Sequence, residues 1–297
     1  MTMTVHVIGA GGRSGAALCR ALLAQGKDVV PVVRDRNRYQ AGSGLSSGRQ
    51  GPGGGTLHEP HIADLTGPPD DLRLALLDAS VVVCTAHARN IPAVLAAAPA
   101  QARIVALGST RKFTRWPDAH GNGVLAGGLA LLTSGRNGVI LHPTMIYGAE
   151  GEDNVQRLAT LLRYLPVVPL PGGGRSLVQP IHQSDVTACL LAAIDKDWNG
   201  AHSLVIAGAA PVTYRDFVHL VARAAGMRMP PVISIPAGPL IAAAAVLRLI
   251  PGLPDIGPAE IRRLLEDKAF SIGPMVSTLG VVPVSLETGL ARLFGEN

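Results

Sequence analysis

The chain contains few aromatic side chains and no cluster of positive charge. Phe, Trp and Tyr make up 3% of its 297 residues, and its 26 Lys and Arg residues are scattered, although the net charge is +5. Nucleic-acid recognition needs a clustered basic face or aromatic rings on which bases stack. We therefore expect no nucleic-acid partner, and the excess positive charge fits an anionic small ligand or a membrane surface no better than it fits the absence of any specific partner.

Cysteine is also scarce, and its spacing excludes two structural roles. Cys19, Cys84 and Cys189 each lie within an apolar run. An odd number of cysteines at these distances fits neither a disulfide framework nor a zinc site, so we predict core thiols in a reducing compartment and no bound metal. The first segment, MTMTVHVIGAGG, lacks the charged stretch and apolar core of a secretory signal, so we expect a cytoplasmic location.

Long hydrophobic runs are absent as well. The most apolar stretch, IPAGPLIAAAAVLRLIPGLP at 235–254, contains prolines near both ends and is interrupted by Arg248. Its uncharged part is shorter than the roughly 20 residues that span a bilayer. We interpret it as a helix that is buried or that faces a second copy in a homodimer. The alternative is peripheral membrane contact through an interfacial helix, to which Arg248 gives a slight polar face.

What the chain does contain is an alternation of short strands and helices. Hydrophobic residues make up 47% of the sequence and charged residues 16%, which predicts a sizeable core. Apolar strand-like runs lie at 5–8, 29–33, 62–64, 80–84, 104–107, 139–141 and 203–206. Helical patterns separate most of these runs, so the order predicts an α/β fold with a doubly wound parallel sheet.

The pattern changes after residue 148, where Pro- and Gly-rich stretches interrupt the helices. We predict a larger domain over 1–147, to which 178–207 return, and a smaller C-terminal substrate lobe formed by 148–177 and 208–297. Residues 37–60 are rich in Gly and Ser and predict a flexible surface insertion.

Glycines at a three-residue spacing join the first strand to the first helix, in VIGAGGRSG. A side chain at Gly9 would obstruct the turn, one at Gly12 would hold a pyrophosphate away from the backbone, and one at Gly15 would separate helix from strand. The helix N-terminus offers N–H groups and a positive dipole end to phosphates. The residues that we assign to this dinucleotide-binding loop are Gly9, Gly11, Gly12, Arg13, Ser14 and Gly15.

The second strand ends with Arg34, Asp35 and Arg36. NAD-binding folds place an acidic residue near this point to hold the ribose 2′-hydroxyl, whereas an arginine accommodates the 2′-phosphate of NADP. We predict that Arg34 binds that phosphate and that the coenzyme is NADP, with Arg13 near enough in the loop to join it. NAD is the alternative, with Asp35 as the ribose ligand and the arginines solvated.

These segments resemble the extended short-chain dehydrogenase/reductases, specifically the NAD-dependent epimerase/dehydratase group and its atypical relatives. The resemblance covers nearly the whole chain and includes the motifs VIGAGGRSG, ADL, VVVCTAH, IVALGST, LLTSGRNGVILHPTMIYG and QPIHQSDV. It implies further coenzyme contacts from Asp64, Thr85, Ala86, His142, Pro143 and Thr144. It also implies that Ser109 or Thr110 takes the place of the catalytic Ser/Thr.

Two residues are candidates for substrate binding. The resemblance places His182, in QPIHQSDV, in the substrate cleft, although a histidine at the start of a helix fits the same pattern. Arg175, in the glycine-rich PGGGRS, could hold the diphosphate of a nucleotide sugar, and a solvated loop arginine is the alternative.

The resemblance fails at the residues that carry the family's chemistry. Its Tyr-x-x-x-Lys pair exchanges a proton with the substrate, because the lysine lowers the tyrosine pKa. No tyrosine lies between Thr110 and Pro143, and the expected positions fall near His120 and Val124.

Three interpretations follow from the missing pair. His120 replaces the tyrosine as acid and base. Alternatively, Ser109, Thr110 or Lys112 polarises the substrate, or the proton is exchanged by another group. In the third, the chain binds NADP(H) without turnover, as a structural or redox-sensing subunit. The expected function is thus an epimerase-like or reductase-like protein acting on a sugar nucleotide or another hydroxyl or carbonyl compound, with a non-catalytic subunit as the rival.

Overall fold

The computed structural model describes residues 3–45, 48, 50–149, 154–247 and 257–295. Its strands are β1 (Thr4–Ile8), β2 (Asp28–Val33), β3 (His61–Ile62), β4 (Val81–Cys84), β5 (Arg103–Leu107), β6 (Gly138–Pro143), β7 (Ile146–Tyr147), β8 (Val168–Pro171), β9 (Leu177–Val178), β10 (Ile181–His182), β11 (Ala201–Ile206), β12 (Val212–Thr213) and β13 (Val232–Ile235). Its α-helices are α1 (Arg13–Ala24), α2 (Arg36–Ser43), α3 (Pro69–Ala75), α4 (Ile91–Ala97), α5 (Ala119–Leu132), α6 (Asn154–Tyr164), α7 (Gln183–Asp195), α8 (Tyr214–Ala224), α9 (Ala237–Leu247), α10 (Pro258–Arg263), α11 (Gly273–Leu279) and α12 (Leu286–Phe294).

The chain divides into two compact units. The first contains Met1–Pro143, Gln183–Ile206 and Gly273–Val282. The second contains Thr144–His182, Ala207–Ile272 and Pro283–Asn297. The sequence-based division gave all of 208–297 to the smaller lobe, whereas Gly273–Val282 clusters with the first unit, because α11 packs on α7 and β11.

The first unit is built on a seven-stranded sheet in the order β11-β6-β5-β4-β1-β2-β3. Every pair in it is parallel, and its inner strands are mostly apolar, as expected of strands covered on both faces, with His6 on β1 and His142 on β6 as buried exceptions. The chain order reverses between β1 and β4, so the carboxyl ends of these two strands border the crevice in which such sheets bind ligands. The predicted doubly wound parallel sheet is confirmed.

Helices cover both faces of this sheet. α1 packs against α7 on one side, while α3, α4 and α5 follow one another on the other side. The second group covers a core that includes Val82, Ile104 and Ile140. Packing on both faces leaves the loops at the carboxyl edge as the accessible part of the sheet.

The glycine-rich stretch in residues 37–60 is not a free insertion where the structure describes it. α2 occupies its beginning, and Leu57 is buried beside Val29 in β2. A Cβ added at Gly53 would stand 2.1 Å from the Ala24 carbonyl oxygen, so this glycine lets the loop touch the end of α1. The stretch is mostly exposed, as predicted for a surface segment, but it is not a free loop throughout: Gly51, Gly53 and Gly55 pack closely on the end of α1 and on Lys27, whereas Gly42, Gly44, Gly48 and Gly54 face open space.

The second unit has its own core, formed by α6, α8 and α12 around residues such as Phe217, Val221 and Leu290. β8 and β13 run parallel beside it. The apolar stretch at 235–254 forms α9, in which Leu240 and Ile241 stay partly exposed, and Arg248 lies outside the described residues. None of the helices that the structure describes is long and apolar enough to cross a membrane.

Candidate functional site

The loop after β1 makes a tight turn that only glycine permits at two positions. Gly9 has φ of +79°, and a Cβ there would lie 2.9 Å from Thr85 Oγ1. A Cβ at Gly15 would lie 2.1 Å from the Gly9 carbonyl oxygen, far closer than van der Waals contact allows. These two glycines therefore allow β1, the loop and α1 to meet in one small volume, as the sequence predicted.

Gly12 keeps the start of α1 open. It is the N-cap residue, and a Cβ added there would meet only the Gly9 carbonyl oxygen, at 3.2 Å, and otherwise enter open space. The amides of the first turn, from Arg13 to Gly15, have no carbonyl within the helix to bind. Gly11, Gly12 and Arg13 are exposed, so the amides of the first turn and the positive helix end are open to an anion, while the Gly12 amide itself donates to the Gly9 carbonyl oxygen at 2.9 Å.

Neighbouring side chains hold this loop in place. The Thr85 hydroxyl donates to the Ile8 carbonyl oxygen at 2.9 Å, which fixes the end of β4 to the end of β1. Ser14 donates through Oγ to Oε1 of Gln183 at 3.0 Å, which joins the first turn of α1 to that of α7. Both hydroxyls therefore shape the loop, and Ala86 follows beside it with its amide nitrogen 3.1 Å from the Cβ position of Gly9.

Arg34 and Asp64 come together at the neighbouring strand ends. Arg34 follows β2 and is exposed, and Asp64 lies two residues beyond β3. The Thr66 amide and hydroxyl donate to the Asp64 carboxylate and lower its pKa, and the charge of Arg34 lowers it further. Asp35 instead begins α2, accepting the Arg38 amide at 3.1 Å. The guanidinium of Arg34 is thus an exposed positive charge at this edge, beside an Asp64 carboxylate that already accepts two hydrogen bonds from Thr66.

His142 makes its hydrogen bonds inside the protein. Its side chain on β6 is fully buried, and its Nδ1 accepts the Ser109 amide at 3.2 Å. Its Nε2 lies 3.1 Å from Ser203 Oγ, to which Lys112 Nζ donates at 3.2 Å. Both ring nitrogens are therefore used within the protein, where His142 supports the loop after β5, and its contact with a coenzyme stays a prediction.

This buried position also sets the charge of His142. Burial, and then the nearby Lys112 ammonium, lower the His142 pKa to about 3. The ring is neutral, with Nδ1 accepting and Nε2 carrying the proton. Burial likewise lowers the pKa of Lys112.

Ser109 and Thr110 stand at the carboxyl end of β5, half-buried, as predicted for the catalytic Ser/Thr. Ser109 Oγ accepts the Arg111 amide at 3.1 Å, which leaves its O–H group as a donor. The Thr110 hydroxyl donates to the Pro143 carbonyl oxygen at 3.1 Å. Ser109 is therefore the better placed of the two to donate to a substrate oxygen. Thr144 directly follows Pro143 but is the first residue of the second unit, and its side chain is buried.

The first turn of α5 carries the positions at which the Tyr-x-x-x-Lys pair is missing. His120 is exposed there, and its ring meets the edge of the His87 ring with centroids 4.3 Å apart. Val124, four residues on, is buried in the core. Asp118 caps the helix and pairs with Arg111, so the turn that presents His120 is fixed.

His87 was not identified from the sequence, although it directly follows the segment VVVCTA. Its Nδ1 accepts the Arg89 amide at 3.0 Å, which places the proton on Nε2. Burial, and then His120, lower its pKa. Only the fold brings the loop after β4 against the start of α5, and the sequence holds no signal for this pair. Ser203 and Gln183 were missed for the same reason.

The second unit holds the two residues assigned to substrate. Arg175 is exposed and follows Gly172–Gly174, a compact turn in which all three glycines have positive φ. His182 is 9% exposed, packs edge-on against Tyr147, and has its pKa lowered by burial and by Arg292. The ring of His182 is thus buried in packing, and its place in a substrate cleft stays a prediction.

No protein-family model matches the sequence, and a search of curated proteins finds no match. Solved structures match it along nearly its whole length. An NADPH-dependent quinone oxidoreductase from Escherichia coli, solved with NADPH, is 18% identical with a TM-score of 0.73, over 98% of this chain and 99% of that chain.

Two sugar-nucleotide enzymes match to a similar degree. A nucleoside-diphosphate-sugar epimerase from Staphylococcus aureus is 16% identical with a TM-score of 0.72, over 97% of this chain and all of that chain (100%). A UDP-glucuronic acid 4-epimerase from Bacillus cereus, solved with UDP-glucuronic acid and NAD, is 16% identical with a TM-score of 0.70, over 99% and 98% of the two chains. At these identities the likeness establishes the fold, and the activity must be argued from the site.

Proposed function

We propose that the chain binds a nicotinamide dinucleotide at the carboxyl edge of its first unit, across the ends of β1 and β4. The observation that carries this proposal is the glycine turn, in which Cβ atoms at Gly9 or Gly15 would collide while the space before Gly12 is open. Such a turn brings backbone N–H groups and a helix end to a pyrophosphate. Gly11, Gly12, Arg13 and Thr85 would line its path.

NADP(H) is the preferred coenzyme in this proposal. Arg34 is exposed at the end of β2, where the ribose of the adenosine half would lie, and Asp35 is engaged as the cap of α2. A guanidinium binds a phosphate through paired, charge-assisted hydrogen bonds. The quinone oxidoreductase with the same fold was solved with NADPH, which agrees with this choice.

The proposed activity is epimerase-like or reductase-like chemistry on a hydroxyl or carbonyl compound, including a sugar nucleotide. When bound, the coenzyme accepts or donates a hydride. The Ser109 hydroxyl would donate a hydrogen bond to the substrate oxygen, and His120 would exchange its proton in place of the missing tyrosine. The His87 ring packs edge-on against the His120 ring. In this proposal His120 is the acid–base group of a chain that lacks Tyr-x-x-x-Lys, and His87 holds its ring in position.

A second function has an observation of its own. Val124 is buried where the lysine would stand, so no side chain at this position can lower the pKa of a neighbouring acid. A protein that holds NADP(H) without turnover, as a structural or redox-sensing subunit, fits that loss equally well.

The deciding experiment identifies the nucleotide that the purified protein carries and then offers carbonyl compounds and sugar nucleotides to the NADPH-loaded form. We expect NADPH binding by calorimetry, and turnover that disappears in His120→Ala while NADPH still binds. Bound NADPH that no compound oxidises would support the non-catalytic subunit. Failure to bind either NADPH or NADH would overturn both functions.

A further inference from the structure

The second unit contains a cavity of about 960 Å³ that the proposed function does not use. The end of α6, one side of α8 and the connection between α8 and β13 form its walls. None of the residues assigned above to coenzyme or substrate lines it. Its volume lies at the upper end of the range for small-molecule sites, which are mostly about 300–1,000 Å³.

Three arginines lie around this cavity. Arg163 is in the last turn of α6, Arg215 is in the first turn of α8, and Arg228 follows α8. All three are exposed, and among the residues that the structure describes none of them forms an ion pair. Like charges around one cavity repel each other, and an anion bound between them would remove that repulsion.

The rest of the lining is almost entirely apolar. Leu162, Met227, Met229 and Val232 contribute side chains, together with prolines. Met229 remains 50% exposed, so apolar surface at the cavity is open to water. His219 is the other polar side chain, and it donates through Nε2 to the Pro230 carbonyl oxygen at 3.2 Å. The wall therefore combines apolar side chains with charge of one sign.

We propose that this cavity binds a free, single-chain amphiphile with an anionic headgroup, such as a medium-chain fatty acid. The headgroup pairs with Arg163, Arg215 and Arg228, and the chain covers the Met229 and Val232 side of the cavity. Apolar burial supplies most of the affinity and the arginines select the sign of the charge. The site commits to a dissolved molecule, because a bounded cavity takes one chain, whereas a bilayer needs an extended apolar face.

The test uses the full-length protein and isothermal titration calorimetry with decanoate below its micelle concentration. Decyltrimethylammonium has the same chain with the opposite charge, and butyrate has the same headgroup with little chain. We expect decanoate to bind, the other two to bind at least tenfold more weakly, and added salt to weaken decanoate binding.

Single variants Arg163→Gln, Arg215→Gln and Arg228→Gln should each weaken decanoate about threefold, and the triple variant at least tenfold, since each removes one partly exposed charge contact. Arg223→Gln is the matched control, because Arg223 is exposed on the same helix α8 but does not line the cavity. Met229→Asp should also weaken decanoate, by placing a like charge in the apolar wall.

Several results would overturn the proposal. These are equal binding of decyltrimethylammonium, a triple variant that binds decanoate like the wild type, or flotation with phosphatidylglycerol vesicles without decanoate binding. NADPH titration of the same variants separates this site from the proposed coenzyme site, because we expect the triple variant to retain its NADPH affinity.

Discussion

A buried histidine on a central strand is the residue that most constrains the candidate site. His142 accepts the backbone amide of Ser109 and approaches the hydroxyl of Ser203, so one neutral ring holds the loop after β5 against β11. Gly108 makes the approach possible, because a Cβ there would lie 2.3 Å from His142 Nδ1. The position of Ser109, the proposed hydrogen-bond donor, thus depends on the buried His142 side chain.

The stability of the protein should therefore depend on the charge of His142. Its pKa is about 3 in the folded chain, against 6.5 for an ordinary histidine, so the unfolded chain binds the extra proton between these values. Stability is complete above about pH 6.5, and we expect His142 to cost about 1.4 kcal/mol of it for each pH unit of acidification below that. Urea unfolding at a series of pH values measures this slope.

His142→Gln provides the comparison, because glutamine keeps a donor and an acceptor but does not titrate. The variant should lose the His142 part of the slope between pH 6 and pH 4, whatever its stability at pH 7. Wild type and variant that lose stability in parallel over this range would show that His142 is not the titrating group.

Arg34 carries the proposed choice between the two coenzymes. Arg34→Ala should raise the Kd for NADPH about 10- to 150-fold and leave the Kd for NADH nearly unchanged, because a hydrogen bond to a charged group contributes about 1.5–3 kcal/mol. Calorimetry with both coenzymes measures the ratio.

Arg36→Ala is the matched control for this measurement. Arg36 lies two residues away but pairs with Glu59, so its loss should affect the two coenzymes alike. An equal loss of NADPH and NADH affinity in Arg34→Ala would contradict the role of Arg34 as the 2′-phosphate ligand.

At the scale of elements, α5 is a helix that its own composition disfavours. Its sequence AHGNGVLAGGLALL contains four glycines, each of which costs about 1 kcal/mol relative to alanine in a helix interior. The structure explains some of them by close approach: a Cβ at Gly121 would lie 2.9 Å from the Arg111 carbonyl oxygen, and one at Gly127 only 1.9 Å from that of Ala88. The helix is held by packing rather than by propensity.

Two adjacent glycines of α5 should respond oppositely to the same change. Gly127→Ala should destabilise the protein by about 1–3 kcal/mol, because its Cβ would overlap the backbone of Ala88. Gly128→Ala should stabilise it by about 0.5–1 kcal/mol, since its Cβ would lie 4.0 Å from its nearest neighbours. Urea unfolding of both variants tests the pair: stabilisation by both would show that helix propensity outweighs close approach at Gly127, and destabilisation by both would show that Gly128 also lacks room for a Cβ.

Element prediction succeeded where hydrophobic pattern and spacing were both clear. Each of the seven strands of the main sheet overlaps one of the apolar runs predicted from the sequence, and α1 forms between the first two of these runs. It failed for α2, because Arg36–Ser43 has no apolar face and its cap, Asp35, was interpreted only as a ribose ligand. The packing of Gly53 against α1 also has no local signature, since glycine marks loose and tight loops alike.

At the scale of the whole molecule, the unfolding of the first unit can be measured separately from that of the second. Both tryptophans, Trp116 and Trp198, belong to it, and Trp198 is buried with its Nε1 donating to the Ala193 carbonyl oxygen at 2.8 Å. Tryptophan fluorescence therefore reports the unfolding of the unit that carries the glycine turn, although that unit is assembled from three separate stretches of chain.

NADP⁺ should stabilise this unit by mass action. At a concentration 100 times its Kd, the ligand should raise the free energy of unfolding by about 2.7 kcal/mol, which appears as a higher urea midpoint of the fluorescence transition. Arg34→Ala at the same NADP⁺ concentration should show a smaller rise. An unchanged midpoint in the wild-type protein would mean that NADP⁺ does not bind the folded unit.

The sequence by itself determined the parallel sheet, the glycine turn between β1 and α1, and the absence of the Tyr-x-x-x-Lys pair. Each of these depends on residues close together in the chain, and their spacing predicts the local backbone geometry. The tertiary structure alone decided that His142 and His182 are buried, that His87 meets His120, and that three arginines surround one cavity. Those facts depend on contacts between segments far apart in the chain. Such contacts form when the elements pack together, and a local sequence pattern does not predict them.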